Sequence, residues 1–176
     1  VLQMASCTLM ELDAVSVASG PGSYTGLRIG VSTAKGLCYA LEIPLIAVDS
    51  LVALAELAIA KYPNQTICAM IDARRMEVYS AIYNPDLQMV KPISADILSE
   101  ESYKEYEPFI FVGDGAAKLS ELWQGRKCTA DLTIHASSKG QVQLAYEKFT
   151  KEDFVDVAYF EPYYLKDFVA GASSKR

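Results

Sequence analysis

Apolar positions follow two rhythms along this chain, short β-type runs and helix-spaced stripes, and the first third alternates between them. Asp13 to Ala18 is a short β-type run that stops at Ser19-Gly20-Pro21-Gly22, a strong chain break. Leu27, Val31, Ala34, Leu37, Cys38 and Leu41 then recur at helical spacing, predicting a helix to about Leu41 with Ser23 or Thr25 as its cap. Pro44 ends the next turn, and Leu45-Ile46-Ala47-Val48 reads as a buried strand. Asp49 or Ser50 caps a second helix, Leu51 to about Tyr62, closed by Pro63-Asn64. Strand, helix, strand, helix is the order of a parallel α/β unit.

Beyond Pro63 the rhythm changes. Thr66 to Ile71 and Glu77 to Tyr83 are β-rich runs joined by Asp72-Ala73-Arg74-Arg75-Met76, a hairpin with a longer loop. Residues 93–102 are polar and mixed. Phe109 to Val112 is a short buried strand ended by Gly113-Asp114-Gly115. Ala116 to Trp123 and Lys139 to Thr150 read as helices, the second amphipathic through Val142, Leu144, Ala145, Tyr146 and Phe149. These elements predict an α/β protein of two small subdomains, residues 1–62 and 63–165, with a tail over 166–176.

The first helix and the turn before it hold five of the chain's ten glycines. On a helical wheel its apolar stripe is one face; Arg28, Ser32, Lys35 and Tyr39 make a narrow polar strip, and Gly26, Ile29, Thr33, Gly36 and Ala40 make a third, nearly all small. Each glycine costs a helix about 1 kcal/mol against alanine, so a solvent-facing surface has no use for them. Close approach of another backbone does. The small face therefore predicts a second buried side, packed on a helix of this chain or of another. The turn Gly20-Pro21-Gly22-Ser23, with Thr25 beyond it, could present N–H groups to an anion, but Pro21 removes one donor and the Lys of a phosphate-binding GxxxxGK[ST] loop is missing. A conformational turn is the better reading.

Composition narrows the chemistry. With 22 acidic against 16 basic side chains the net charge is −6, and the basic face of a protein that grips nucleic acid unaided is missing. Any contact with RNA would be indirect, through a partner. Cys7, Cys38, Cys68 and Cys128 form no CxxC pair, which argues against a zinc ribbon or disulfide framework and for free thiols in a reducing cytoplasm. The most apolar stretch, residues 45–60, is too short to span a bilayer and carries Asp49 and Glu56. His135 is the sole histidine, so an HExxH zinc site is excluded, and no GxSxG elbow supports a triad built on it. Asp72, Arg74, Arg75 and Glu77 gather four charges at the hairpin tip, read as a solvated turn with Asp72 paired to Arg74 or Arg75, or as a docking tip.

GPGSYTGLRIG, then PLIAVDSL, then IDARRMEVYSAIY, and finally EPYYL resemble, in that order, the TsaB family, also called YeaZ. The resemblance covers nearly the whole chain and is specific in its first segment. It implies a two-subdomain fold of the actin/Hsp70/sugar-kinase (ribonuclease H-like) superfamily. It also implies a non-catalytic partner of a TsaD-like enzyme that attaches threonylcarbamoyl groups to tRNA adenosine, with a TsaE-like ATPase joining them. The family's contacts with TsaD, or with a second copy of itself, run through helices of the first subdomain, so Gly26, Arg28, Ile29, Thr33, Gly36 and Ala40 are the expected interface. No intrinsic cofactor is implied, and ATP or ADP is expected only within the complex. By the same resemblance the chain starts past most of the family's opening hairpin and helix, leaving its first subdomain incomplete. Two other readings compete: an ATP-binding phosphotransferase, for which Gly113-Asp114-Gly115 is a weak phosphate loop, and the family's older glycoprotease (M22 peptidase-like) label, which the single histidine opposes.

Overall fold

A computed structural model describes residues 2–166. Its elements are β1 (Val15–Gly20), α1 (Tyr24–Leu41), β2 (Leu45–Asp49), α2 (Ser50–Lys61), β3 (Ile67–Asp72), β4 (Glu77–Tyr83), β5 (Met89–Ile97), β6 (Phe109–Val112), β7 (Cys128–Asp131) and α3 (Val142–Thr150), with short 3-10 turns between them. β1 and β2 form a two-stranded parallel sheet. The remaining strands form a five-stranded sheet in the order β5-β4-β3-β6-β7. There β4 runs antiparallel to both β3 and β5, whereas β6 runs parallel to β3 and β7 parallel to β6.

Strand alternation gives the larger sheet two cores. Ile67, Ala69, Ala81, Tyr83 and Val112 face α2 and meet Leu51, Leu54, Ala55 and Ala58, all essentially inaccessible to water. Cys68, Met70, Val78, Ile82 and Phe111 point the other way, onto Trp123, Leu119 and Tyr103. The small sheet is likewise covered twice, by Ala34 and Cys38 of α1 on one face and by Leu144, Ala145 and Phe149 of α3 on the other. α2 thus stands between the two sheets, and its cap is Asp49, whose side chain accepts from the N–H groups of Leu51 and Val52.

Five features depart from the expected layout. β5 lies within and just before the stretch that looked polar and mixed; it is an edge strand, which tolerates Pro92, and its polar residues serve the buried network described below. β7 was not foreseen: Cys-Thr-Ala-Asp lacks a β signature and is set by its register on β6. Residues 114–118 form a 3-10 turn rather than starting an α-helix, because Gly115 is pressed against Met70, Ile71 and Val78 and Lys118 is drawn to Asp72 and to the Glu77 carbonyl. The last helix is α only from Val142, after a 3-10 turn over Ser138–Gln141. The chain after residue 63 also does not stay with the larger sheet. α3 packs on β2, Val155 bridges Leu45, and Val157 and Phe160 join the α1 core. Of the expected tail, only Lys166 lies among the described residues.

Two glycines show how tightly α2 is held. A Cβ on Gly113, whose φ is +100°, would sit 2.0 Å from the Met70 carbonyl oxygen and 2.7 Å from the Leu54 side chain. One on Gly140 would sit 2.0 Å from the Ala53 carbonyl oxygen. Gly113→Ala is therefore expected to destabilise the protein by about 3 kcal/mol or more. Gly36→Ala, with nothing within 4 Å of the new methyl, should stabilise it by about 1 kcal/mol. Denaturant titration of the two variants checks both signs.

Candidate functional site

Ser23, not Thr25, caps α1, its hydroxyl accepting from Gly26 N–H at 3.3 Å. The turn ahead of it is closed by the C-terminal strap, residues 155–164. Tyr163 N–H donates to Ser19 O at 2.7 Å, and the Tyr163 carbonyl lies so near Gly20 (φ +107°) that a Cβ there would approach it to 2.6 Å. Gly20 is thus required by a neighbouring backbone, whereas a Cβ on Gly22 would meet nothing within 4 Å. Pro21 is buried and Thr25 exposed.

Within the described residues α1 buries one face, so the internal-helix alternative for the small face does not hold. Leu27, Val31, Ala34 and Cys38 are inside. Gly26, Arg28, Ile29, Thr33, Gly36 and Ala40 are all exposed, Ile29 at 64%. No helix of the described residues crosses the small face: a Cβ on Gly36 would touch nothing, and one on Gly30 would come only to 3.9 Å of Val17. The polar strip is the better-filled side. Lys35 donates to the carbonyls of Ala158 (2.9 Å) and Phe160 (3.1 Å), tying the strap to the helix. Arg28 donates to the Tyr24 hydroxyl, and the Tyr24 ring lies 4.9 Å from that of Tyr164. Between α1 and the strap is an open groove of about 500 Å³ lined by Lys35, Gly36, Tyr39 and residues 156–158. Tyr39 at its edge is 83% exposed.

At the hairpin tip the structure corrects the expected pairing. Asp72 is bound by Lys118 at 2.5 Å rather than by either arginine side chain, and it also accepts from Arg74 N–H at 2.5 Å. Burial pushes its carboxyl up, but Lys118 and the Arg74 N–H outweigh that and hold it below the ordinary range. Glu77 pairs with Lys166. Asp114, from the supposed phosphate loop, accepts from Asp72 N–H and braces the hairpin.

A second polar cluster escaped the sequence reading because its members are distributed over three elements. Ser80 on β4, Lys91, Ser94 and Asp96 on β5, and Tyr103 converge beside Cys68. Tyr103 Oη and Ser94 Oγ each donate to Asp96 at 2.5 Å, and Lys91 Nζ lies 3.0 Å from it and 3.3 Å from Ser80 Oγ. A serine beside a lysine is a potential nucleophile and base. Here Ser80 is fully buried and donates to Asp96, and Lys91 is taken up in an ion pair with the same carboxylate, so neither side chain faces a substrate. Burial raises the Asp96 carboxyl, yet hydrogen bonds from Ser94, Tyr103 and Lys91 bring it below the ordinary value. Burial pushes the Cys68 thiol and the Tyr103 phenol up. His135 is exposed. Among the described residues no three His, Cys, Asp or Glu lie close enough to share a metal ion, and no helix is long and apolar enough to cross a membrane.

The larger sheet, with three antiparallel strands followed by two parallel ones in the order β5-β4-β3-β6-β7, has the ribonuclease H-like topology. The parallel β1-α1-β2 unit repeats the parallel half of that plan, so the class is the actin-like α/β fold. A family model described as TsaD, tRNA N6-adenosine threonylcarbamoyltransferase, matches residues 1–171. The chain belongs to that family, in its TsaB (YeaZ) branch. It is 28% identical over 179 residues to the tRNA threonylcarbamoyladenosine biosynthesis protein TsaB of Escherichia coli, covering 97% of this chain and 78% of that one. Against the Bacillus subtilis TsaB the figure is 42% over 109 residues, 58% of this chain and 47% of the relative. The solved structure of YeaZ from Pseudomonas aeruginosa superposes with a TM-score of 0.75 at 29% identity, over 94% of this chain and 80% of that one.

The folded-state acidity of Asp96 lies on the low side of its unfolded value. The network's stabilisation is therefore full at neutral pH and is lost as pH falls through and below the ordinary carboxylate range. Asp96→Asn should flatten this acid limb of the stability profile while lowering stability at pH 7 by about 1–3 kcal/mol; urea titrations between pH 3 and 7 measure it.

Proposed function

We propose that this chain is a non-catalytic subunit in the biosynthesis of tRNA threonylcarbamoyladenosine, docking through the exposed small-residue face of α1 onto a TsaD-like enzyme. The observation that carries this reading is the exposed helix surface at Gly26, Ile29, Thr33, Gly36 and Ala40, where Gly36 lies in open space at a helix-propensity cost that no contact within the described residues offsets. Clearance of this kind admits a second helix to backbone distance, and Ile29 with Tyr39 supplies apolar area at its margins. The names of the relatives support the pathway. The closed Ser80 network and the braced Asp72 tip leave the transfer chemistry, with any ATP or ADP, to the enzyme and a TsaE-like ATPase. A second copy of this chain would use the same face, giving a homodimer that exchanges with the enzyme complex.

Gly36→Leu and Thr33→Arg fill the clearance without touching the core. Each is expected to weaken binding to the enzyme at least tenfold, measured by calorimetry or co-purification, with the melting temperature of the isolated protein unchanged. Equal loss of stability and binding, or failure of the unsubstituted protein to bind the enzyme at all, would overturn the proposal.

A further inference from the structure

The hairpin tip carries two arginines in a form that the fold has taken trouble to keep unneutralised. Arg74 and Arg75 both lie in the left-handed region, at φ +71° and +53°. A non-glycine residue rarely adopts it, and here two adopt it in succession. The turn is pinned from below: Ala73 N–H donates to Glu77 O, Glu77 N–H to Arg74 O, and Arg74 N–H to Asp72. The acids within reach are already taken. Lys118 holds Asp72, Lys166 holds Glu77, and Asp114 is occupied by the Asp72 N–H. Among the described residues neither guanidinium lies within ion-pair distance of a carboxylate, and both side chains are exposed. On a chain of net charge −6 this is a localised cationic finger.

We infer that Arg74 and Arg75 grip the phosphodiester backbone of the tRNA when this protein sits in its complex with the enzyme. The inference rests on the function proposed above. A guanidinium fork matches phosphate oxygens in two-point geometry, and a braced turn has little freedom left to lose on contact. The acidic remainder of the chain makes the finger too weak to hold RNA alone, so the contact operates where the enzyme supplies most of the affinity. Phosphate recognition of this kind carries no base information and would position the tRNA rather than select it.

The test uses the assembled complex with tRNA, comparing the unsubstituted protein, R74A/R75A and R74K/R75K. Alanine suffers the same left-handed strain as arginine, so the turn is not relieved. The double alanine variant is expected to weaken tRNA binding about fivefold or more at moderate salt and to reduce the slope of log affinity against log salt by about one per arginine. The double lysine variant should recover most of the slope and part of the affinity. Enzyme binding and melting temperature should be unchanged in both. Unchanged tRNA affinity and slope would overturn the contact. So would loss of enzyme binding, which would make the tip a protein contact, or weakened ATP binding with tRNA binding intact. If the unsubstituted protein fails to join the enzyme, the proposed function falls and this contact with it; normal assembly with an unaltered salt slope overturns the contact alone.

Discussion

Every part of this molecule is referred to α2, a helix buried on nearly all sides between two sheets. Leu51, Leu54, Ala55 and Ala58 fill the space under the five-stranded sheet, while Ala53 meets the Ile46 and Val48 side of the small one. A helix can serve two sheets only if the connecting backbones come close, and here two glycines permit it. The chain passes the Ala53 carbonyl at Gly140, and it passes Leu54 and the Met70 carbonyl at Gly113. A methyl group at Gly113 would press between α2 and the larger sheet, and one at Gly140 would push the turn before α3 away from α2. Small-residue clearance inside the fold is thus the constraint that sets the distance between its two halves.

The same device is used outside the fold for another end. Gly113 and Gly140 are glycines because something already occupies the space beside them, whereas Gly36 lies in the open. The contrast gives α1 its meaning. Its apolar face is spent on β1, β2 and the strap, its polar strip is engaged through Lys35, and its third face is left smooth. That smooth face sits on the subdomain to which the strap is fastened at Ser19, Leu45 and Lys35, so a partner bound there would meet a rigid surface.

Polar chemistry has been spent on bracing. Asp96 gathers four hydrogen-bond donors, from Ser80, Lys91, Ser94 and Tyr103, into the space between β4, β5 and Tyr103, and Asp131 collects Lys61, Tyr62 and Thr133 at the far edge of the sheet. Lys61 and Thr133 hold the Asp131 carboxyl well below its ordinary range. Asp96 ties the edge strand β5 to β4, and Asp131 ties the edge strand β7 to the C-terminal end of α2, which a four-residue strand needs because its own ladder is short. Groups that suggest a nucleophile or a base on paper are therefore committed to holding sheet edges.

By itself the sequence determined the elements whose hydrophobic rhythm is local: β1, α1, β2, α2, β3, β4 and β6 are each legible from spacing and from breaks at Gly20-Pro21, Pro44 and Pro63. The three faces of α1 were legible for the same reason, since helical geometry follows from 3.6 residues per turn. Whether the small face was covered was not legible, because that depends on where other elements lie. Only the tertiary structure decided that it is exposed. β5 and β7 were hidden because their signal is not apolar: Lys91, Ser94, Asp96 and Asp131 become inward residues only once distant partners neutralise them. The tip shows the same division. Four charges in six residues could be read off the chain, but which acid met which base was set by Lys118 and Lys166, residues far away in sequence, and so the freedom of the two arginines was a property of the fold alone.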